Sequence, residues 1–391
     1  AALTTGAYHV AIGFEALSSE DTGGRAVAIG YQALQKQNGS GDVYNVGIGW
    51  AAGQQITTGD KNVLMGGLAG DALTTGSNNV AIGYLALSSQ EEHGNNVAIG
   101  YQALKSQNTG QSAYNVAVGH LASGAVTTGV NNTIIGGLAG DALTEGNNNV
   151  AIGYQALSTE DAHGHNVAIG YQALKALNAG INASNIAVGY RAGTAATTGA
   201  LNTLIGGTAG QAITTGSRNI AIGHQALKAE DEHGRNVAIG YNALSTQDAG
   251  TNGFNVAVGH QAGLSVTTGV QNVIIGGDAG DALTTGSGNT VLGGEALSAE
   301  DTGNFNTAIG AEALKVQDGG VFNVALGRQA GVAVTTGDNN TLIGSGAGVS
   351  ITTGGNNVCI GQDAGGVLTT GSNNVYIGRD IDAGATNRVN E

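Results

Sequence analysis

The sequence predicts an all-β parallel solenoid of about 22 coils, each 17 or 19 residues long. Three observations predict it. The segment Asn79-Val80-Ala81-Ile82-Gly83 returns, whole or lightly varied, from end to end, and its Gly falls at 13, 30, 49, 66, 83 and so on to 378 in steps of 17 or, in four cases, 19. Asn precedes the strand in 20 of the 22 units, with His9 and Ala26 the exceptions. Ala follows the Gly by three residues in 21 consecutive units, from Ala16 through Ala86 to Ala364, and the rule fails only at Ile381.

Each part of the unit has a physical role. Val80 and Ile82 alternate with Asn79, Ala81 and Gly83, the period of a half-buried strand, and the expectation is that Val and Ile supply most of the burial. Gly at the strand end provides the positive φ that a coil turn needs. Stacked Asn side chains share amide hydrogen bonds along the axis. The invariant Ala marks a place with room for a methyl group and no more, a tight corner or a closely packed axis.

The units come in kinds that repeat with a higher period of 70 residues, visible in Gly30, Gly100, Gly170, Gly240 and Gly310. One kind reads Gly-x-Ala-Gly-Asp-Ala-Leu, another carries Tyr and a charged loop, and a third, with Lys and two extra residues, accounts for the steps of 19. We expect one continuous repeat region over 1–378, a rod of about 100 Å at one strand spacing per coil. The segment 379–391 drops the pattern and is expected to be a cap or a transition. A coil of 17 ordered residues has a thin core. At roughly 25 cal/mol per Å² of apolar burial, against about 1 to 2 kcal/mol per ordered residue, one roll alone is marginal, so a second layer is expected. Side-by-side rolls meeting at the Ala column would supply it.

Composition narrows the function. Seventy Gly and no Pro would suit a disordered chain, but the strict period argues for order. The net charge is −15 with only 13 Lys and Arg, so nucleic acid is not an expected partner. One cysteine, Cys359, excludes an intrachain disulfide framework. No run of 18 apolar residues is present, so no membrane span is expected. The opening on Ala1 in mid-repeat suggests a processed chain or a piece of a longer one.

The recurring Asn-x-Val-Ala-Ile-Gly followed by x-x-Ala resembles the YadA-like head repeats of trimeric autotransporter adhesins and the similar β-roll repeats of phage tail-fibre shafts. The resemblance covers Val10 to about Gly378. It implies a left-handed β-roll, a side-by-side homotrimer and an extracellular place on a bacterial surface or a virion fibre. The coils depart from the shorter unit usual in those heads, so the additional residues are expected to bulge as loops. Neck, stalk and anchor patterns are absent from this sequence.

Candidate sites lie on the loops. Tyr44, Tyr114 and Phe254, with Ser184 at the matching place, sit in the long loops beside Asn, Gln and Asp, where rings can grip sugars. A second aromatic set, Phe14 and Tyr31, Tyr84 and Tyr101, Tyr154 and Tyr171, occupies one coil position and is expected to stack in neighbouring coils. Asn79, Val80, Ile82, Gly83 and Ala86 are the structural ladder. The acidic loops Glu20-Asp21, Glu91-Glu92-His93, Glu160-Asp161 with His163, Glu230-Asp231 with His233, and Glu300-Asp301 recur about 19 Å apart along the axis. Ligands of one ion must converge at about 2 to 2.6 Å from it, so loops so far apart share no metal, and a solvated acidic face is expected. Thr-Thr-Gly pairs fit turns better than a flat ice-ordering array, since adjacent strand residues face opposite ways. No catalytic arrangement, phosphate loop or cofactor motif stands out, and no enzyme activity is expected.

The sequence therefore points to an extracellular fibrous attachment protein, a trimeric head or shaft that binds a cell-surface glycan or protein receptor through many weak contacts. The competing expectations are a purely structural filament built by end-to-end stacking and an ice-binding solenoid.

Overall fold

The computed structural model describes residues 7–382. The chain forms two compact units, Ala1–Ala200 and Leu201–Glu391. Each is a parallel β-solenoid with eleven three-residue strands, from Val10–Ile12 to Ile186–Val188 in the first unit and from Thr203–Ile205 to Val375–Ile377 in the second. No helix occurs among the described residues. Equivalent residues pair in register, as Val80 with Val97, Ala81 with Ala98 and Ile82 with Ile99. The expected cap or transition segment over 379–391 lies, beyond Asp382, outside the described residues. Up to that point the ladder continues: the N–H of Gly365 donates to the Ile381 carbonyl at 2.8 Å and that of Asp380 to the Gln362 carbonyl at 2.9 Å.

Hydrogen bonds between coils are not confined to the strands. Around the corner after the strand, the N–H of Gln32 donates back to the Phe14 carbonyl (2.8 Å) and that of Leu34 forward to the Ala52 carbonyl (3.0 Å). This requires left-handed backbone at non-glycine residues, with φ of 57° at Gln32 and 49° at Leu34. Such residues cost roughly 1 to 2 kcal/mol each. The paired backbone offsets that cost, because buried N–H and C=O groups must find partners. At the strand end only Gly fits: Gly83 has φ 135°, and a Cβ there would stand 2.3 Å from the carbonyl oxygen of Gly100 in the next coil.

The alternation of the strand is present, but its inner face is the opposite of the expected one. Ala81 is fully buried while Val80 and Ile82 are only half-buried, and the same order holds in nearly every strand. The reason is room. The Leu at the following corner, such as Leu87, fills much of the coil, so the strand centre is left with a small side chain, Ala in most of these coils. Where a coil carries Leu or Ile at the strand centre instead, the corner position is Gly, while the smaller Val291 still packs with Leu297. Leu64 is paired with Gly70, and a Cβ on Gly70 would stand 2.8 Å from Leu64 Cδ2. Where both positions are Gly, as at Gly47 and Gly53, Leu34 of the preceding coil and Leu64 of the following one close the space, at 2.8 and 2.6 Å from where a Gly53 Cβ would be.

The Ala column is likewise interior. Ala33, Ala52, Ala86 and their equivalents through Ala364 have no exposed surface in the single chain. It is a tight corner, as one of the two expected roles had it, and it does not lie where a neighbouring roll could touch. The Val, Thr and Ile side chains of the strands face outward instead.

The Asn column is buried, and its bonds run mainly to backbone. The N–H of Asn79 donates to Asn62 Oδ1 at 2.9 Å, and Asn62 Nδ2 donates to the Gly76 carbonyl at 2.9 Å. Direct amide to amide contacts accompany some of these, as from Asn79 Nδ2 to Asn62 Oδ1 at 3.2 Å. The exception His9 does the same work, with Nδ1 accepting from the Ala26 N–H (3.3 Å) and Nε2 next to the Gly23 carbonyl (2.8 Å).

Candidate functional site

The residue before each buried Asn adopts the left-handed conformation and projects outward, and this position holds Tyr44, Tyr114 and Phe254, with φ between 49° and 53°. They belong to one column that runs through all coils of each unit, rather than to the bulged part of the long loops. The structure does not bring the three together. Tyr44 closes a cluster in which the Arg25 guanidinium lies 5.6 Å from the ring centres of both Tyr8 and Tyr44. Asp42 fixes that cluster through Arg25 Nε at 3.1 Å and by accepting from the Tyr44 hydroxyl at 3.4 Å. Tyr114, 60% exposed, stands between Asn95 and Asn131 in the same column. Phe254 is covered on one face by Arg235 at 5.2 Å. The column also carries Phe305 and Phe322, exposed and stacked at 5.3 Å with planes 8° apart. Aligning each residue with the Asn that follows it would have found this pair.

The second aromatic set stacks as expected and extends further. Phe14 faces Tyr31 at 5.3 Å. Tyr84, Tyr101 and His120 form a run of three at 5.8 and 5.2 Å, Tyr154, Tyr171 and Tyr190 another, and His224, Tyr241 and His260 a third. The runs end at glycines such as Gly67 and Gly137, where the position carries no ring. These rings are close to half exposed, so each run offers an aromatic edge and face to solvent.

The acidic loops are not simply a solvated face. Glu20, Glu160, Glu230 and Glu300 are buried at the position that Ile56 and Leu73 fill in other coils. They serve the backbone of the bend: Glu20 Oε1 accepts from the Gly23 N–H at 2.6 Å, while Glu300 accepts from the N–H groups of Thr302 (3.1 Å) and Gly319 (2.8 Å) and from Gln317 Nε2 (2.8 Å). Burial pushes the Glu160 carboxyl above its ordinary range, and burial, with the charges of Asp248 and Asp231 added, pushes that of Glu230 up to about 7. Loops of adjacent coils come together. Asp248 reaches the group formed by Glu230, Asp231 and His233, a convergence missed from sequence because only the 70-residue copies were compared.

The Thr pairs are engaged in the ladder. Thr57 Oγ1 donates to the Thr74 carbonyl at 3.2 Å and Thr74 Oγ1 to the Glu91 carbonyl at 3.0 Å. No helix among the described residues is long and apolar enough to cross a membrane. No protein-family model matches the chain, and no curated protein matches it either.

Proposed function

We propose that this chain is an extracellular fibrous attachment protein, a rod-shaped homotrimeric head or shaft that binds cell-surface glycans through many weak, repeated contacts. The observation that carries the proposal is the outward face of the strands. Val80, Ile82, Val97 and Ile99 stand half-exposed in register, and the neighbouring strands of each unit repeat them with Val, Ile or Thr, or with Met65, Leu292 and Leu326. An apolar parallel face of this kind is normally covered on both sides. Copies of the same chain packed side by side cover it with an identical ladder, in keeping with the resemblance to YadA-like heads and tail-fibre shafts.

The exposed rings support the attachment role. Tyr44 lies beside Asp42, Tyr114 beside Asn95 and Asn131, and the Tyr84, Tyr101 and His120 run presents stacked rings at strand spacing. Apolar faces next to hydrogen-bonding groups suit pyranose rings. Repetition along the chain, and again across three chains, converts weak contacts into avidity. Glycan-array binding by the full chain tests this, with Tyr44→Ala, Tyr114→Ala and Phe254→Ala combined as the comparison. Retained binding in the triple variant would remove the ring column from the account, and continuous fibres without glycan binding would favour a passive filament.

A further inference from the structure

We propose that Glu230, Asp231, His233 and Asp248 form a binding site for a divalent transition-type cation, best probed with zinc, that joins the loops of two adjacent coils. One ligand atom from each residue lies within 4.8 Å of those of the other three. Two adjacent coils contribute, the first giving the Glu-Asp-x-His turn and the second giving Asp248 from its longer loop.

The donor set decides the class of ion. Three carboxylates and one imidazole suit zinc and its first-row neighbours, whereas calcium and magnesium take oxygen ligands alone. Zinc held at about 2.0 to 2.2 Å from four ligands needs them closer together than they now stand. The arms free to close are those of Asp231 and the exposed Asp248.

The rest of the site is held in place. Glu230 is fully buried, with Oε1 accepting from the His233 N–H at 3.1 Å and Oε2 from Asn236 Nδ2 at 3.2 Å. The His233 carbonyl accepts from Asn219 Nδ2 at 3.2 Å, and the Asp231 carbonyl from the Thr214 N–H at 2.6 Å and from Thr214 Oγ1 at 3.0 Å. The Asp248 N–H donates to the Thr267 carbonyl at 2.9 Å. Both segments are thus pinned by the ladder before any ion arrives.

An independent observation points to a missing partner. His233 Nδ1 is buried and has no hydrogen-bond partner, although a ring nitrogen in that state costs free energy. A metal ion is the partner that a ring nitrogen enclosed among carboxylates can bind. The chain also supplies its own comparison. Glu160, Asp161 and His163 repeat the turn, but Asn178 stands where Asp248 would be, so that cluster has three ligands instead of four.

The test uses the full chain stripped of metal with a chelator, titrated with zinc by calorimetry and assayed for bound metal after desalting. The expected result is one tight site per chain and a weaker second event at the three-ligand cluster. Asp248→Asn, which copies Asn178, is expected to weaken the tight site at least tenfold. His233→Gln is expected to abolish it, with folding checked by circular dichroism. Cobalt substituted for zinc is expected to give the visible absorption of a four-coordinate site, lost in both variants. The proposal is overturned if zinc binds both variants as it binds the parent chain, if no saturable site appears, or if calcium binds tightly where zinc does not.

Discussion

Replacing Leu64 by Ala tests the complementary filling of the coil interior. Leu64 is fully buried, and its side chain fills space above both Gly53 and Gly70. Truncation leaves a cavity that the rigid ladder cannot collapse, at a cost of about 2 to 5 kcal/mol. Gly70→Leu alone overfills the same space and costs about 1 to 3 kcal/mol. Its backbone is not the obstacle, since Gly70 at φ 55° matches Leu87 at 52°. Together the two changes give this coil the strand centre and corner of Ala81 with Leu87, with Leu73 kept where that coil has Gln90. The double variant should therefore lose less than the sum of the singles by roughly 1 to 3 kcal/mol. Solenoids do not unfold in one step, so the assay is amide hydrogen exchange of the N–H groups of Gly53, Gly70 and their neighbours, which reads local opening. Additive effects, within about 0.5 kcal/mol, would refute complementary filling.

Other outcomes follow from the ladder and from buried groups. Asn79→Ala removes the oxygen that accepts from the buried Asn96 N–H at 3.1 Å and should cost about 1 to 3 kcal/mol, read as faster exchange at Asn96. Burial raises the Asp141 carboxyl, whose Oδ1 has no hydrogen-bond partner, so its charged form opposes folding above its folded pKa and ceases to do so as pH falls toward the ordinary 3.8. Asp141→Asn, which follows Gln211 at the matching place, should raise the melting temperature at pH 7, with the gain shrinking on acidification; a gain independent of pH would contradict the assigned cause. Cys359 is buried and its thiol is pushed up to about 11, chiefly by desolvation, so thiol reagents should label it only after unfolding.

The period of the sequence made the coil, the parallel register and the ladders of Asn and Gly legible. Which face of the strand lies inside was not legible from hydrophobicity. Alternation separates Val80 and Ile82 from Ala81 but is silent on direction, and the deciding fact is the Leu87 side chain that arrives from the corner. The covariation of Leu64 with Gly70 and of Ala81 with Leu87 was present in the sequence as a signal of shared space. Burial of Glu230 was similarly concealed, because a charged loop reads as solvated until aligned with Leu73 and Ile56 at the equivalent place in other coils. Tyr44, Tyr114 and Phe254 are exposed, and their column and its Arg partners required the coil geometry.

The most direct test concerns the outward Val and Ile ladder. Sedimentation equilibrium of the full chain should give about three times the 38.4 kDa mass of one chain, and Val97→Lys with Ile99→Lys should reduce it. A 38.4 kDa species that stays fully folded on dilution would contradict the proposed assembly.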